Sequence, residues 1–123
     1  MDKDLLVNSG HALVRLLDQT RVKPRAAMWV YNPDNDIWRL WIVSPRGTKE
    51  PEFYRNVADA IAKHREILPG LDISSVELVD EEHPAMKGIS RLIRMDGLGS
   101  AHVSNNRMNG FYLPDGIILR MEL

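Results

Sequence analysis

Ser100, His102 and Ser104 alternate within the stretch GLGSAHVSNNRMNG, residues 97–110. A serine near a histidine is the minimum for a hydroxyl nucleophile activated by a general base. In an extended strand, residues two apart project in parallel at about 7 Å, whereas proton transfer needs about 3 Å. The spacing therefore predicts a solvated strand face, and no catalytic residue is assigned. Gly97 and Gly99 also make a poor phosphate loop. The third glycine of a dinucleotide fingerprint is missing, and the stretch leads from helix to strand instead of from strand to helix.

The run DEEHP, residues 80–84, offers three carboxylates and His83, all acceptable ligands for a divalent cation. Consecutive residues of an extended chain point to opposite sides, so at most two of them meet one ion. Carboxylates leading into a helix start are also favoured by the helix dipole. Neither a metal nor any other cofactor is assigned.

SPRGTKEP, residues 44–51, has the better order: strand, loop, then helix. Arg46, Gly47, Thr48 and Lys49 stand where backbone amides at a helix start can receive a phosphate or carboxylate. These four residues are the candidate anion site. Two features weigh against it. Glu50 and Glu52 already place negative charge in the first turn, and Thr48 can serve simply as the helix cap.

Arg21, Lys23 and Arg25, with Arg15 nearby, form the densest basic cluster, and Arg91 with Arg94 forms another. Nucleic-acid binding requires such charges to be continuous and joined to exposed aromatics. Sixteen basic against seventeen acidic side chains leave a formal charge of −1, which disfavours nucleic acid as a partner.

The elements that must position these residues follow from periodicity. Leu6, Gly10, Leu13 and Leu17 recur at helical spacing within residues 4–19, with Gly10 letting this helix approach its neighbour closely. A second helix begins near Pro51 and turns Tyr54, Val57, Ala58 and Ile61 inward. A third starts at Pro84, turns Met86, Ile89 and Ile93 inward, and is expected to stop at Asp96 and Gly97. Between the first two lies AAMWVYNPDNDIWRLWIV, two aromatic and β-branched runs separated by turn formers. It predicts a β-hairpin. ISSVELVD adds a strand, as does the segment 101–107. Asn109-Gly110 marks a tight turn, and Asp115-Gly116 a second turn before IILRMEL.

Placing Tyr31 opposite Ile37 puts Trp29, Tyr31, Ile37, Arg39 and Trp41 on one face of the hairpin, and Met28, Val30, Trp38, Leu40 and Ile42 on the other. Both faces are apolar. Each buried aromatic removes about 150 to 250 Å² from water, so each side of the ribbon needs cover. Three modest helices supply only part of it, and the first face is the candidate interface.

At 123 residues, with 44% hydrophobic and 27% charged side chains, the chain suits one domain with one core. It has no cysteine, which removes thiol chemistry and cysteine metal sites and fits a reducing compartment. The start, MDKDLLVNSG, lacks the basic and apolar stretches of a secretory signal, and no apolar run is long enough to span a membrane. The expected location is the cytoplasm.

The sequence thus predicts one α+β domain over residues 1–123, in the order α-β-β-α-β-α-β-β. A mixed or antiparallel sheet of about five strands carries three helices. The element pattern resembles that of small bacterial α+β proteins, a likeness that carries over no functional residue. The preferred function is a non-enzymatic protein-interaction module, homodimeric through the tryptophan-rich hairpin. The alternatives are a binder of, or enzyme acting on, a small phosphorylated or carboxylated ligand at Arg46–Lys49, and a nucleic-acid binder using Arg21, Lys23 and Arg25.

Overall fold

Helix α1 (Lys3–Leu17) starts where the Asp2 carboxylate accepts the Asp4 N–H at 2.9 Å, and it buries the predicted stripe of Leu6, Gly10, Leu13 and Leu17. A computed structural model describes residues 2–123. After α1 come β1 (Ala26–Asn32), β2 (Ile37–Val43), α2 (Glu50–Lys63), β3 (Val76–Leu78), α3 (Pro84–Leu92), β4 (Ala101–Met108) and β5 (Phe111–Met121). The order is the predicted one. The strands form one mixed sheet in the order β3-β2-β1-β5-β4, in which only the β2 and β3 pair is parallel.

The helices divide between the two faces of the sheet. Helices α1 and α2 share a core with Trp29, Leu40, Ile42, Ile117 and Leu119. Helix α3 covers Met28, Val30, Trp41, Val43, Ile118 and Met121 on the opposite side. This arrangement answers the requirement set by a ribbon that is apolar on both faces: Trp29 is 2% exposed and Trp41 9%.

Three sequence expectations are corrected. The hairpin pairs Tyr31 with Trp38 and Asn32 with Ile37, one residue away from the assumed register. Its loop holds four residues, not five, because the Asn32 side chain accepts the Asp34 N–H at 2.9 Å and Asp36 turns left-handed at φ 55°. Since side chains alternate, the slip separates the candidate interface. Trp29 and Tyr31 belong to the α1 and α2 face, while Ile37, Arg39 and Trp41 belong to the α3 face.

Asp115-Gly116 is not a turn, since both residues lie inside β5, opposite Ser104 and Val103 of β4. Gly116 is needed for close approach: a Cβ there would stand 3.2 Å from the Trp29 carbonyl oxygen and 3.3 Å from Val103 Cγ2. Helix α3 ends at Leu92, four residues before Asp96. Ile93 is already extended and Met95 pairs with Met121, so a sheet contact outcompetes another helical turn.

Candidate functional site

Because β2 and β3 run parallel, their carboxyl ends reach the same rim of the sheet. From that rim the chain diverges. Residues 44–49 lead β2 into α2 on one face, and residues 79–83 lead β3 into α3 on the other. Connections that part to opposite faces leave a crevice beyond the strand ends, the usual place for a ligand in sheets with parallel strands. A cavity of about 440 Å³ lies there, within the range of small-molecule sites. It is lined by Arg46, Gly47 and Thr48 from the first loop, by Asp80 and Glu81 from the second, and by Glu50 at the start of α2.

Two stretches singled out separately in the sequence, SPRGTKEP and DEEHP, are thus the two walls of one cavity. A bidentate ion pair ties them together. Arg46 Nε donates to Glu81 Oε1 at 2.6 Å and Nη2 to Oε2 at 3.4 Å, while Arg25 Nη1 reaches the same Oε1 at 3.1 Å. The Arg46 guanidinium, helped by Arg25 and opposed by partial burial, holds the Glu81 carboxyl below its ordinary range. Arg46 itself stays largely in solvent, with its side chain 80% exposed.

The loop geometry explains the remaining residues. Gly47 adopts φ 84°, a conformation that costs glycine little, and Thr48 closes the turn by donating its hydroxyl to the Pro45 carbonyl at 2.6 Å. Thr48 is therefore not the helix cap. Lys49 occupies that position, with extended backbone and no side-chain capping bond, so the first amides of α2 receive no bond from the capping side chain. Lys49 does not line the cavity, whereas Arg46, Gly47 and Thr48 do.

The DEEHP side chains diverge. Asp80 Oδ1 accepts the Glu82 N–H at 2.8 Å, and Glu82 pairs with Lys87. His83 accepts the Ala85 N–H through Nδ1, with its ring packed edge-on between Trp41 and Phe111. Among the described residues no three His, Asp or Glu side chains gather in a way that could hold a metal ion.

Elsewhere, His102 on β4 pairs with Asp115 on β5, which also faces Lys3 at 3.8 Å, and both rest on an exposed part of the sheet. Arg21 and Lys23 are exposed with buried Val22 and Pro24 between or beside them, but Arg25 is bound to Glu81. Of the candidate interface residues, Trp29 and Trp41 are buried beneath the helices of their own chain. Tyr31 donates to Asp36 at 2.7 Å and Arg39 to the Ser74 carbonyl at 3.2 Å; only Ile37 is a large apolar residue in the open, at 41%. Of the four aromatics that three helices were expected to leave partly uncovered, Trp29 and Trp41 are covered, whereas Tyr31 and Trp38 are half-buried.

Sequence reasoning missed Glu81, Asp80, Glu50 and Arg25 as parts of the Arg46 site. The available signal was that both SPRGTKEP and DEEHP follow a strand and precede a helix. The parallel pairing that joins them leaves no local mark.

No protein-family model matches the chain, and no curated protein or solved structure matches it either. No helix of the described residues is long and apolar enough to cross a membrane.

Proposed function

We propose that this protein binds a small carboxylated or phosphorylated molecule in the crevice beyond β2 and β3, with the ligand's acidic group directed at Arg46 and the start of α2. One observation carries the reading: the loop 44–49 and the loop 79–83 part to opposite faces of the sheet and enclose about 440 Å³ around an exposed guanidinium. The first turn of α2, which no side chain caps, adds the Glu50 and Glu52 N–H groups, Pro51 having none, and the positive end of the helix dipole.

Binding is favoured over catalysis by the state of the hydroxyls in the lining. Thr48 donates to the Pro45 carbonyl, and buried Ser44 donates to the Val22 carbonyl at 3.5 Å, so neither is held by a base. Trp29 and Trp41 are core residues in this reading, and Trp38 packs half-buried against the core.

The test is a calorimetric titration of the full chain with short carboxylates, amino acids and phosphate monoesters. At least one should bind with a dissociation constant below about 1 mM, equivalent to about 4 kcal/mol. Arg46→Ala should weaken that binding at least tenfold without unfolding an otherwise exposed loop. Unchanged affinity in the variant would exclude the site.

A further inference from the structure

The crevice specifies more than an acidic group. Its lining sets one guanidinium against three carboxylates, those of Glu50, Asp80 and Glu81. Glu81 is neutralised by Arg46 and Arg25. Glu50 and Asp80 have no ion-pair partner among the described residues, and Asp80 uses Oδ1 only to accept the Glu82 N–H in its own turn. The cavity therefore presents one positive group and two uncompensated negative ones.

Different ligand charges meet this lining differently. A phosphate dianion at Arg46 would have to displace Glu81 and would add two negative charges beside Glu50 and Asp80, a repulsive arrangement in a recess. A simple ammonium would satisfy the two carboxylates and leave Arg46 and Glu81 joined. A monocarboxylate would engage Arg46 with nothing to offset the freed Glu81 oxygen. A molecule bearing both groups matches all of the lining and leaves its net charge unchanged.

We infer that the ligand is a small zwitterion of the amino-carboxylic acid class. This rests on the binding reading above and names its ligand. The ligand's carboxylate takes the Arg46 fork in place of Glu81, and its protonated amine is received by Asp80 and Glu50. Glu81 keeps Arg25 and turns its released oxygen toward the amine. Glu81 is thus an internal stand-in for the ligand's carboxylate, holding the two loops in register until the ligand arrives. The exchange conserves the number of charge-assisted hydrogen bonds on Arg46, so affinity comes from the second charge.

The experiment is an amide NMR titration of the full chain with five probes: L-alanine, 4-aminobutyrate, acetate, methylammonium and inorganic phosphate. At least one of the two amino acids should shift the amides of Ser44 and of residues 46–50 and 79–82, and bind at least tenfold tighter than acetate, methylammonium or phosphate. The paired substitution Glu50→Gln with Asp80→Asn should weaken the amino acid at least tenfold while leaving acetate as strong or stronger. Arg46→Gln should weaken both. If acetate or phosphate binds as tightly as either amino acid and depends on Arg46, the zwitterion is wrong and the acidic-group site stands. If no probe shifts these loops at millimolar concentration, the zwitterion assignment is overturned. The site itself then falls only if the wider calorimetric panel is also silent.

Discussion

Trp29 Nε1 donates to the Leu6 carbonyl of α1 at 2.7 Å, tying the middle strand of the sheet to the first turns of the helix that covers it. The contact requires a gap in the helix surface, and Gly10 supplies it. A Cβ on Gly10 would stand 2.8 Å from that same nitrogen and 2.5 Å from Leu119 Cδ1. The indole is thereby buried with its one polar atom satisfied, which a tryptophan in a core requires.

Gly10→Ala should destabilise the protein even though alanine is the better helix former. The helical gain is about 1 kcal/mol, and overpacking a rigid indole and a fully buried leucine costs about 1 to 3 kcal/mol. The expected net loss is about 1 kcal/mol, read from urea unfolding midpoints. A variant more stable than the parent would show that α1 can move away from the sheet at no cost.

Arg120, 5% exposed, donates from Nη1 and Nη2 to the Asp18 carboxylate at 2.7 and 3.0 Å, from Nη1 to the Pro24 carbonyl at 3.1 Å and from Nε to the Gly97 carbonyl at 2.9 Å. It joins the end of α1, the chain entering β1 and the loop after α3. Asp18→Asn removes the bidentate counter-charge of a buried guanidinium, leaving only Glu122 Oε2 at 3.6 Å from Nε, and should cost about 3 kcal/mol. The double variant with Arg120→Met should lose less than the two single losses combined, because the second change removes the charge that Asp18 no longer neutralises. Simple additivity would mean that solvent already screens the pair.

Stability should fall between pH 7 and pH 5 through His83. Burial holds its imidazole below the ordinary value, against the pull of Glu77 on β3. The folded protein then takes up this proton at lower pH than the unfolded chain does. The contribution is full above about pH 6.5 and is lost as pH falls through the folded value. Protonation also removes the Nδ1 acceptor of the Ala85 N–H and sets a cation at the start of α3, where the dipole opposes it. His83→Asn keeps a capping acceptor that does not titrate. Urea unfolding at both pH values should show a smaller decline for this variant than for the parent. Equal declines would clear His83 of the effect.

Several particulars show how far local pattern reaches. The spacing of Leu6, Gly10, Leu13 and Leu17 marks α1 and even the purpose of its glycine, because helix periodicity and backbone clearance are both properties of a few neighbouring residues. The hairpin was equally legible, but its register was not. An Asx turn at Asn32 and a left-handed Asp36 shortened the loop by one residue, and one residue is enough to move Trp41 across the sheet. Asp115-Gly116 misled for a related reason. Glycine signals a turn when the chain reverses and a close approach when it does not, and only the positions of Trp29 and Val103 distinguish the two.

The candidate site divides in the same way. Arg46, Gly47, Thr48 and Lys49 were visible as a loop at a helix start, and the left-handed Gly47 accords with that reading. That Glu81 would close on Arg46, across 35 positions of chain, was not visible.

By itself the sequence determined the element order, the two-faced hairpin and the absence of cysteine chemistry, since these depend on residue type and short-range spacing. The tertiary structure alone decided that β3 lies parallel to β2, that α2 and α3 part to opposite faces, and that Arg46 meets Glu81. Those outcomes come from burying two apolar faces of one sheet at once. That is a condition on the whole chain, and no window of it carries the answer.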